Sequence, residues 1–377
     1  MVRHGMTFDG MPKAELHLHL DGALPPETIL LLAERNGLRD LLPGETEEAI
    51  AGWFVFQDFD HFLNVKRTIK KLLRSADDFA LAVYAVGREL AAQHVRYAEI
   101  TVTPYTFIDV LGHGVTLDGM FQGLESGRQQ ARSEFGIELR WVFDIPRNRA
   151  FADYHRGGAY VAGAAESTLA YALRGREFGV VGLGFGGNET NAPPEPFAQV
   201  FAEAKRQGLR SVPHAGESEG AASVWGAIRA LQADRVGHGV RAVEDERLLD
   251  ELAARQIPLE VNMTSNVSLN FCSRIQDHPL PSWIGRAFWS QSTPMTPNSS
   301  TPRSPESTSC LLMSSVTRRL MSFASPGMPS WLAVRTPPQK RGCWRNWTVG
   351  PRSVFRVSRA CAPAARSLRG AAITGRV

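Results

Sequence analysis

The sequence predicts an α/β fold of the TIM (β/α)8-barrel type that lacks its eighth strand. Up to about residue 280, short apolar runs alternate with helical segments, which is the pattern of parallel βαβ units. Residues suited to catalysis follow the ends of several runs, as they do in barrels. The seven runs are Ala14–Leu20, Arg96–Val102, Leu139–Ile145, Val180–Phe185, Arg210–Pro213, Asp234–Val240 and Pro258–Val261. An eighth run is not found.

Helix start and stop signals separate the predicted strands. Pro25 and Pro26 open a helix after the first strand, and Gly37 ends it. Ser75 is expected to cap a helix that runs to Ala92. These signals fall where a βαβ pattern requires helices.

The composition indicates a globular protein with one large core. The chain has 377 residues, of which 43% are hydrophobic. We find no uninterrupted apolar stretch long enough to span a membrane and no signal-peptide pattern at the N-terminus, so a cytoplasmic location is expected. Four cysteines do not make a disulfide framework, and none forms a CxxC pair that would indicate a thiolate metal site.

Charge is distributed unevenly along the chain. The net charge is +4, but residues 281–377 hold 14 Lys and Arg against one acid, Glu306. The preceding residues are therefore acidic overall. Because the basic residues of the last quarter are scattered, a nucleic-acid-binding arm is the less favoured interpretation. We expect small-molecule partners, with no nucleic acid and no membrane. The sequence does not indicate an oligomeric state.

Two segments are predicted: residues 1–281 as the barrel, with strands one to seven, and residues 282–377 as an aberrant basic tail. From Pro281 onward, 27 of 97 residues are Ser or Pro, and five of the eight tryptophans and three of the four cysteines lie there. Disordered tails are rarely rich in Trp and Cys, whereas folded domains are rarely so poor in acids. The tail is interpreted as disordered or as the product of a shifted reading frame.

Histidines at strand ends indicate a metal site. His17 and His19 end the first run, and residues two apart in a strand point to the same face. His214 follows the fifth run and adds a third imidazole, which zinc favours as a ligand. For His17 and His19 alone, the simpler interpretation is two polar residues at a strand end.

Two further residues could supply acid–base chemistry. Glu217 follows His214 closely and is placed to donate a proton, although it could instead cap a helix. His238 follows the sixth run between two glycines and is a candidate base for the attacking water. The glycine-rich segment Gly182–Glu189 does not fit a phosphate-binding pattern. It is better interpreted as backbone that approaches a flat ligand.

Taken together, these residues resemble the adenosine/AMP deaminase family. Five motifs carry the resemblance, in family order and at barrel spacing, over about residues 10–281. They are Pro12-Lys-Ala-Glu-Leu-His17-Leu-His19-Leu-Asp21-Gly22, Gly186-Gly187-Asn188-Glu189, His214-Ala-Gly-Glu217, Arg235-Val-Gly-His238-Gly239, and Thr264-Ser-Asn266 followed by His278-Pro-Leu. The segment Gly184-Phe-Gly-Gly-Asn188-Glu189 replaces an acid-containing version found in well-known members, which leaves the choice of substrate open.

The resemblance implies a role for each motif residue. His17, His19 and His214 would bind one Zn²⁺ ion, and His19 would also contact substrate. Glu217 would protonate the purine N1, and His238 would orient and deprotonate the attacking water. The remaining implied substrate contacts are Gly187 to the purine ring and Asp21 to ribose.

The implied reaction is zinc-dependent hydrolytic deamination of adenosine to inosine, with a purine nucleoside and water as the partners. Alternatives are a deaminase of adenine or another 6-aminopurine derivative, and a metal-dependent amidohydrolase of other specificity. A non-catalytic remnant that binds zinc or purine is the third alternative.

The chain departs from the family after the seventh strand. The family ends its barrel with an apolar strand leading into Thr-Asp-Asp-Pro, which completes the zinc site, but no Asp follows Asp277 here. Read one base out of frame, residues 293–308 can encode Asn-Thr-Asp-Asp-Pro, and Met295-Thr296 must then hide an Asp codon. We hypothesise that one base is lost near codons 281–282; a divergent natural tail is the alternative. Little or no turnover is expected from the chain as written.

Overall fold

The computed structural model describes residues 10–279 and has the predicted α/β architecture. Its strands are β1 (Lys13–His19), β2 (Val95–Val102), β3 (Glu138–Pro146), β4 (Val180–Gly186), β5 (Arg210–Ala215), β6 (Val236–His238) and β7 (Leu259–Glu260). Its α-helices are α1 (Pro26–Arg35), α2 (Glu47–Trp53), α3 (Phe59–Lys71), α4 (Ala76–Ala92), α5 (Leu117–Phe135), α6 (Gly163–Arg174), α7 (Ala198–Arg206), α8 (Ala221–Arg229), α9 (Glu246–Ala254) and α10 (Met263–Ser268).

The strands form a nearly closed parallel barrel. Their order in the sheet is the order in the chain, from β1 to β7, and each neighbouring pair is parallel. Between residues 10 and 279 no strand follows β7. The predicted TIM-type barrel without its eighth strand is therefore confirmed for this part of the chain.

The alternation of side chains along each strand separates a core from a polar interior. Leu18, Ala98 and Ile100 are buried on the outer face of the strands, where the helices pack against the barrel. Successive residues of a strand point to opposite faces, so Glu15 and His17 share the inner face of β1. The apolar core thus lies around the barrel, and the inside is left for polar side chains.

The predicted helix signals are present in the structure. Ser75 Oγ accepts a hydrogen bond from the backbone N–H of Asp78, whose carboxylate accepts one from the N–H of Ser75, forming a capping box. Pro26 is the first residue of α1, and Gly37 follows that helix in the left-handed conformation. These caps fix where the first and fourth helices begin or end.

Strands β6 and β7 are shorter than the runs that predicted them. Only Val236 and Gly237 pair across, with Leu259 and Glu260. Pro258 accepts a hydrogen bond from the N–H of Val236 at 3.0 Å, but it has no N–H with which to extend the ladder. The edge of the barrel that β6 and β7 form is thus held by few backbone hydrogen bonds.

Two predictions remain to be compared with the structure: the absence of a membrane-spanning segment and the nature of residues 282–377. Within the part of the chain that the structure describes, no helix combines the length and apolar character needed to cross a bilayer. The interpretation of residues 282–377 as a disordered or frame-shifted tail lies outside the described residues. The same is true of the position of the family's aspartate pair.

Candidate active site

Three histidines converge at the carboxyl ends of β1 and β5. His17, His19 and His214 each offer one nitrogen, and these atoms lie within 4.8 Å of one another. The Nε2 atoms of His19 and His214 are only 3.0 Å apart. Burial and nearby positive charges lower the pKa of both rings well below the usual value, so both are neutral and can offer lone pairs. This donor set fits one metal ion of the zinc type.

The first of these histidines is oriented by a carboxylate. His17 Nδ1 donates to Glu260 Oε2 at 2.9 Å, which leaves Nε2 as the nitrogen available to a metal ion. Burial lowers the pKa of His17, but the hydrogen bond and negative charge of Glu260 outweigh it, so the pKa is raised overall. A carboxylate behind a metal-binding histidine commonly fixes its tautomer and increases its basicity.

That carboxylate belongs to a buried charge network inside the barrel. The guanidinium of Arg235 donates to both Glu260 and Glu99, and all three residues are at least 96% buried. The network therefore joins β7 to β2 across the barrel interior. Neither Glu99 nor Glu260 was predicted from the sequence to have a role in the site. Their signal was a single acid within a predicted strand of mainly apolar residues.

The two predicted acid–base residues lie next to each other. His238 Nε2 is 3.3 Å from Glu217 Oε1, and both side chains are nearly buried. Burial, followed by the negative charge of Glu189, raises the pKa of Glu217 to about 7. Burial and the charges of His17 and Lys66 lower the pKa of His238 well below its usual value. A carboxyl that is partly protonated near neutral pH thus faces a neutral imidazole.

Glu189 shapes the loop that carries Glu217. Its carboxylate accepts hydrogen bonds from the backbone N–H groups of Gly216, Glu217 and Ser218, at 3.0, 2.8 and 2.8 Å. Behind it, Arg147 lies 3.8 Å away and donates to the His214 carbonyl at 2.6 Å. From the sequence, Glu189 was recognisable only as part of a motif. The structure shows that it positions the loop between His214 and the acid.

Gly187 adopts a backbone conformation that favours glycine. Its φ is +114°, and an added Cβ would come within 2.5 Å of Asn148 Oδ1. Asn148 holds this loop by donating to the Asn188 carbonyl at 2.8 Å and accepting from the Asn188 N–H at 3.0 Å. The loop thereby places the backbone of Gly186 and Gly187, which have no side chains, at the cavity wall. This arrangement was expected for contact with a flat ligand.

Asp144 is a buried acid that sequence analysis missed. It is 3% exposed and lines the cavity at the end of β3, and its Oδ1 has no hydrogen-bond partner among the described residues. Cβ atoms at Gly184 or Gly186 would lie within about 2.5 Å of its carboxylate, so these two glycines make room for it. Burial raises the pKa of Asp144 to about 7, although Lys66 opposes the shift. Its signal was an acid at the end of an apolar run.

Asp21 is close to the site but is paired with lysines. Its Oδ2 lies 3.3 Å from Lys70 Nζ and 3.8 Å from Lys66 Nζ. The contact is ionic, since Oδ2 accepts no well-directed hydrogen bond from the described residues. Burial would raise the pKa of Asp21, but the two ammonium groups outweigh it and lower the pKa. Asp21 is not among the residues that line the cavity.

One cavity of about 740 Å³ is lined by every predicted site residue except Asp21. This volume is within the range of about 300–1,000 Å³ that is typical of small-molecule pockets. The predicted site residues that line it are His17, His19, Gly187, His214, Glu217 and His238. The structure therefore brings together all of the predicted metal, acid–base and ring-contact residues. Only the predicted ribose contact, Asp21, lies behind the wall.

Comparisons with known proteins agree with this geometry. The family model described as adenosine deaminase matches residues 12–329. Aminodeoxyfutalosine deaminase of Streptomyces avermitilis is 40% identical over 276 residues, which cover 73% of this chain and 73% of that protein. Adenine deaminase of Rhodospirillum rubrum is 37% identical over 281 residues, which cover 74% of this chain and 78% of that protein.

Solved structures give the same result. The crystal structure of adenine deaminase from Arthrobacter aurescens has a TM-score of 0.65 at 31% identity, and covers 73% of this chain and 79% of that one. An amidohydrolase from Burkholderia ambifaria with bound Zn has a TM-score of 0.64 at 26% identity, and covers 76% and 77%. The bound Zn agrees with a single zinc ion at the three histidines of this chain. The chain belongs to the adenosine deaminase family of hydrolases, which act on the C–N bonds of cyclic amidines.

Proposed function

We propose that this protein is a zinc-dependent deaminase of a 6-aminopurine, with adenine or another 6-aminopurine derivative as its substrate rather than adenosine. The observation that carries the proposal is the convergence of His17, His19 and His214 with Glu217 and His238 in one cavity. The choice of substrate is supported by the relatives, which are named adenine deaminases and aminodeoxyfutalosine deaminases. A cytoplasmic location stays a prediction.

The reaction replaces the 6-amino group with oxygen. Water adds to C6 of the purine, the C6–N bond breaks, and ammonia leaves. We propose that His17, His19 and His214 hold the zinc ion, which supplies the Lewis acidity that makes water a nucleophile near neutral pH. The proposed site residues then have to bind the ring and move two protons.

Proton movement is assigned to the adjacent pair. His238, neutral because of its burial, accepts a proton from the attacking water and passes it to the leaving amino group, which departs as ammonia. Glu217, whose pKa is raised to about 7, donates its proton to the ring nitrogen beside C6, and the developing charge on the ring is thereby avoided. The remaining water proton restores the Glu217 carboxyl as the C6 carbonyl forms. The backbone of Gly187 contacts the ring edge and fixes its orientation. Opposite pKa shifts on two neighbouring groups are typical of an acid and a base in one site.

Ammonia release from a substrate panel tests the proposal. The panel contains adenine, adenosine and substituted 6-aminopurine nucleosides, and the protein is the zinc-loaded 377-residue chain beside a frame-restored chain. We expect the restored chain to release ammonia from adenine or a derivative faster than from adenosine, and its Glu217→Gln variant to lose the activity. Equal or faster release from adenosine would contradict the substrate assignment. No release from any 6-aminopurine would contradict the function.

A second function, a non-catalytic protein that binds zinc or purine, is favoured by one observation. The recorded sequence has no Asp after Asp277, so the family's aspartates do not complete the site. This reading predicts that the recorded chain binds zinc and purines without turnover. Robust ammonia release by the recorded chain would exclude it.

A further inference from the structure

We propose that Asp144 is a positioning residue for His214, one of the three proposed metal ligands. Its carboxylate accepts the Nδ1 proton of that imidazole and holds the ring with Nε2 towards the zinc ion. The inference rests on the proposed function, which assigns His214 to the metal, and it adds a residue that the proposed proton transfers do not use. It follows from two buried polar groups that lie on either side of one glycine.

His214 has one ring nitrogen for the metal and one that needs another partner. Its Nε2 is 3.0 Å from Nε2 of His19, where the proposed ligands converge. A metal-binding imidazole is neutral, so when Nε2 offers its lone pair the hydrogen is on Nδ1. That nitrogen is buried and has no hydrogen-bond partner among the described residues. Because buried donors are normally paired, an acceptor is expected close by.

Asp144 is an acceptor that lacks a donor. It lies near the carboxyl end of β3 and is 3% exposed. Its Oδ1 is buried and has no hydrogen-bond partner in the described part of the chain. The acid–base steps proposed above use Glu217 and His238 and give Asp144 no role. A carboxylate in such surroundings is normally held by hydrogen bonds or by a cation, so this one is suited to receive a strong donor.

The missing side chains of β4 leave a path between the two groups. Asp144 pairs with Gly184 across β3 and β4, and Gly186 lies two residues further along, on the same face of the strand. A Cβ atom at Gly186 would lie 2.5 Å from Asp144 Oδ2 and 3.5 Å from His214 Nδ1. The carboxylate therefore extends over β4 towards the imidazole, and the space between them is open because residue 186 has no side chain.

A carboxylate already has this relationship to another of the histidines. His17 Nδ1 donates to Glu260 Oε2 at 2.9 Å, and such a partner fixes the ring and increases its basicity. Asp144 would do the same for His214 from the opposite part of the sheet, since β3 supplies it where β7 supplies Glu260. A cation at Nε2 makes the Nδ1–H group a stronger donor, and charge-assisted hydrogen bonds are the stronger kind.

Zinc affinity measures the contribution of this contact. Competition with a chromogenic chelator gives the dissociation constant of zinc for the 377-residue chain and for Asp144→Asn, which keeps the size of the side chain and removes its charge. We expect the variant to bind zinc roughly 10–100-fold more weakly. Asp118→Asn, at a carboxylate that is 79% exposed on α5, is the matched control and should bind zinc as the parent does.

Gly186→Ala tests the same contact from its other side. The added methyl group would stand between the carboxylate and the imidazole, and we expect zinc to bind at least about tenfold more weakly. Because both substitutions interrupt one contact, the double variant should lose little more affinity than the more affected single variant. Full addition of the two losses would show that the two positions act independently and would overturn the inference.

The thermal stability of the metal-free proteins separates positioning from a structural role. A buried carboxylate without a partner is unfavourable, so metal-free Asp144→Asn should unfold at the same temperature as the parent or higher while it binds zinc less well. A lower unfolding temperature together with weaker zinc binding would mark a structural residue and contradict the inference. Zinc affinity within about twofold of the parent would overturn this inference alone. Absence of zinc binding by the parent would overturn the proposed function and this inference with it.

Discussion

His17 Nδ1 lies 2.9 Å from Glu260 Oε2, although the two residues are 243 positions apart in the chain. The contact connects the first and last strands of the described barrel through a proposed metal ligand. Because Glu260 also accepts from Arg235, the carboxylate is held from both sides. The orientation of His17 therefore depends on residues that do not contact the metal.

We expect Glu260→Gln to lower zinc affinity by roughly 10–100-fold, because losing a carboxylate partner makes the histidine less basic and less well oriented. Competition with a chromogenic chelator gives the affinity. Glu251→Gln, a partly exposed acid on α9, is the matched control and should bind zinc as the parent does. An unchanged affinity in Glu260→Gln, with the metal-free protein still folded, would show that His17 needs no such support.

The raised pKa of Glu217 predicts a pH-dependent stability. The folded state holds this proton up to a pKa of about 7 and the unfolded state only to about 4.5, so the folded state binds more protons between these values. The free energy of unfolding therefore falls as pH rises from 4.5 to 7. Glu217→Gln removes this loss, and we expect the metal-free variant to be more stable than the parent at pH 7, by on the order of 2–3 kcal/mol.

Thermal denaturation of the metal-free proteins at pH 5 and pH 7.5 measures this difference. Glu219→Gln, two residues further along the loop, controls for a general change in charge. If Glu217→Gln is no more stable than the parent at pH 7.5, the carboxyl titrates normally and cannot serve as the neutral-pH acid.

Arg147 is expected to contribute strongly to stability. Its guanidinium is fully buried, donates to the His214 carbonyl, lies near Glu189 and stacks 3.6 Å from the centre of the Phe185 ring. Arg147→Met would leave the buried carboxylate of Glu189 without its cation, a loss of about 3–5 kcal/mol.

Urea denaturation at constant pH measures the loss. The control is Arg156→Met, which removes an arginine whose side chain is 87% exposed, and it should change the unfolding free energy by less than about 0.5 kcal/mol. A similar small effect in Arg147→Met would mean that the backbone and serine donors satisfy Glu189 without the guanidinium.

The hypothesis of a shifted reading frame is tested on the gene. We expect resequencing of codons 270–300 to find one base missing near codons 281–282, and the restored frame to encode Thr-Asp-Asp-Pro. The restored protein should then turn over a 6-aminopurine, with the two aspartates completing the site. Confirmation of the recorded bases would contradict the hypothesis and favour the non-catalytic reading.

Much of the fold and the centre of the site could be predicted from local patterns. The period-two alternation of a strand places His17 and His19 on one face, and the ends of parallel strands meet at one rim, so His214 and His238 were expected beside them. The capping box at Ser75 is likewise a local signal. These features depend on spacing along the chain or on the general geometry of a barrel.

Other features depend on pairings between distant residues. Nothing near Glu99 indicates that it shares Arg235 with Glu260, and nothing near Asp21 indicates that lysines of α3 neutralise it. Such contacts are set by strand register and helix docking, which a single sequence does not specify. For the same reason the basic residues that line the cavity, such as Lys66, Lys70 and Arg149, were not expected there.

The Glu99–Arg235–Glu260 network has a consequence for how the barrel can move. In the β6–β7 ladder only two pairs of residues are in register. The side-chain network inside the barrel therefore contributes much of what holds β7 to the other strands. A separation of β7 from the rest of the barrel would pull Glu260 away from His17 and misalign this proposed metal ligand. The affinity of this protein for zinc should therefore depend on whether β7 is correctly placed in the barrel.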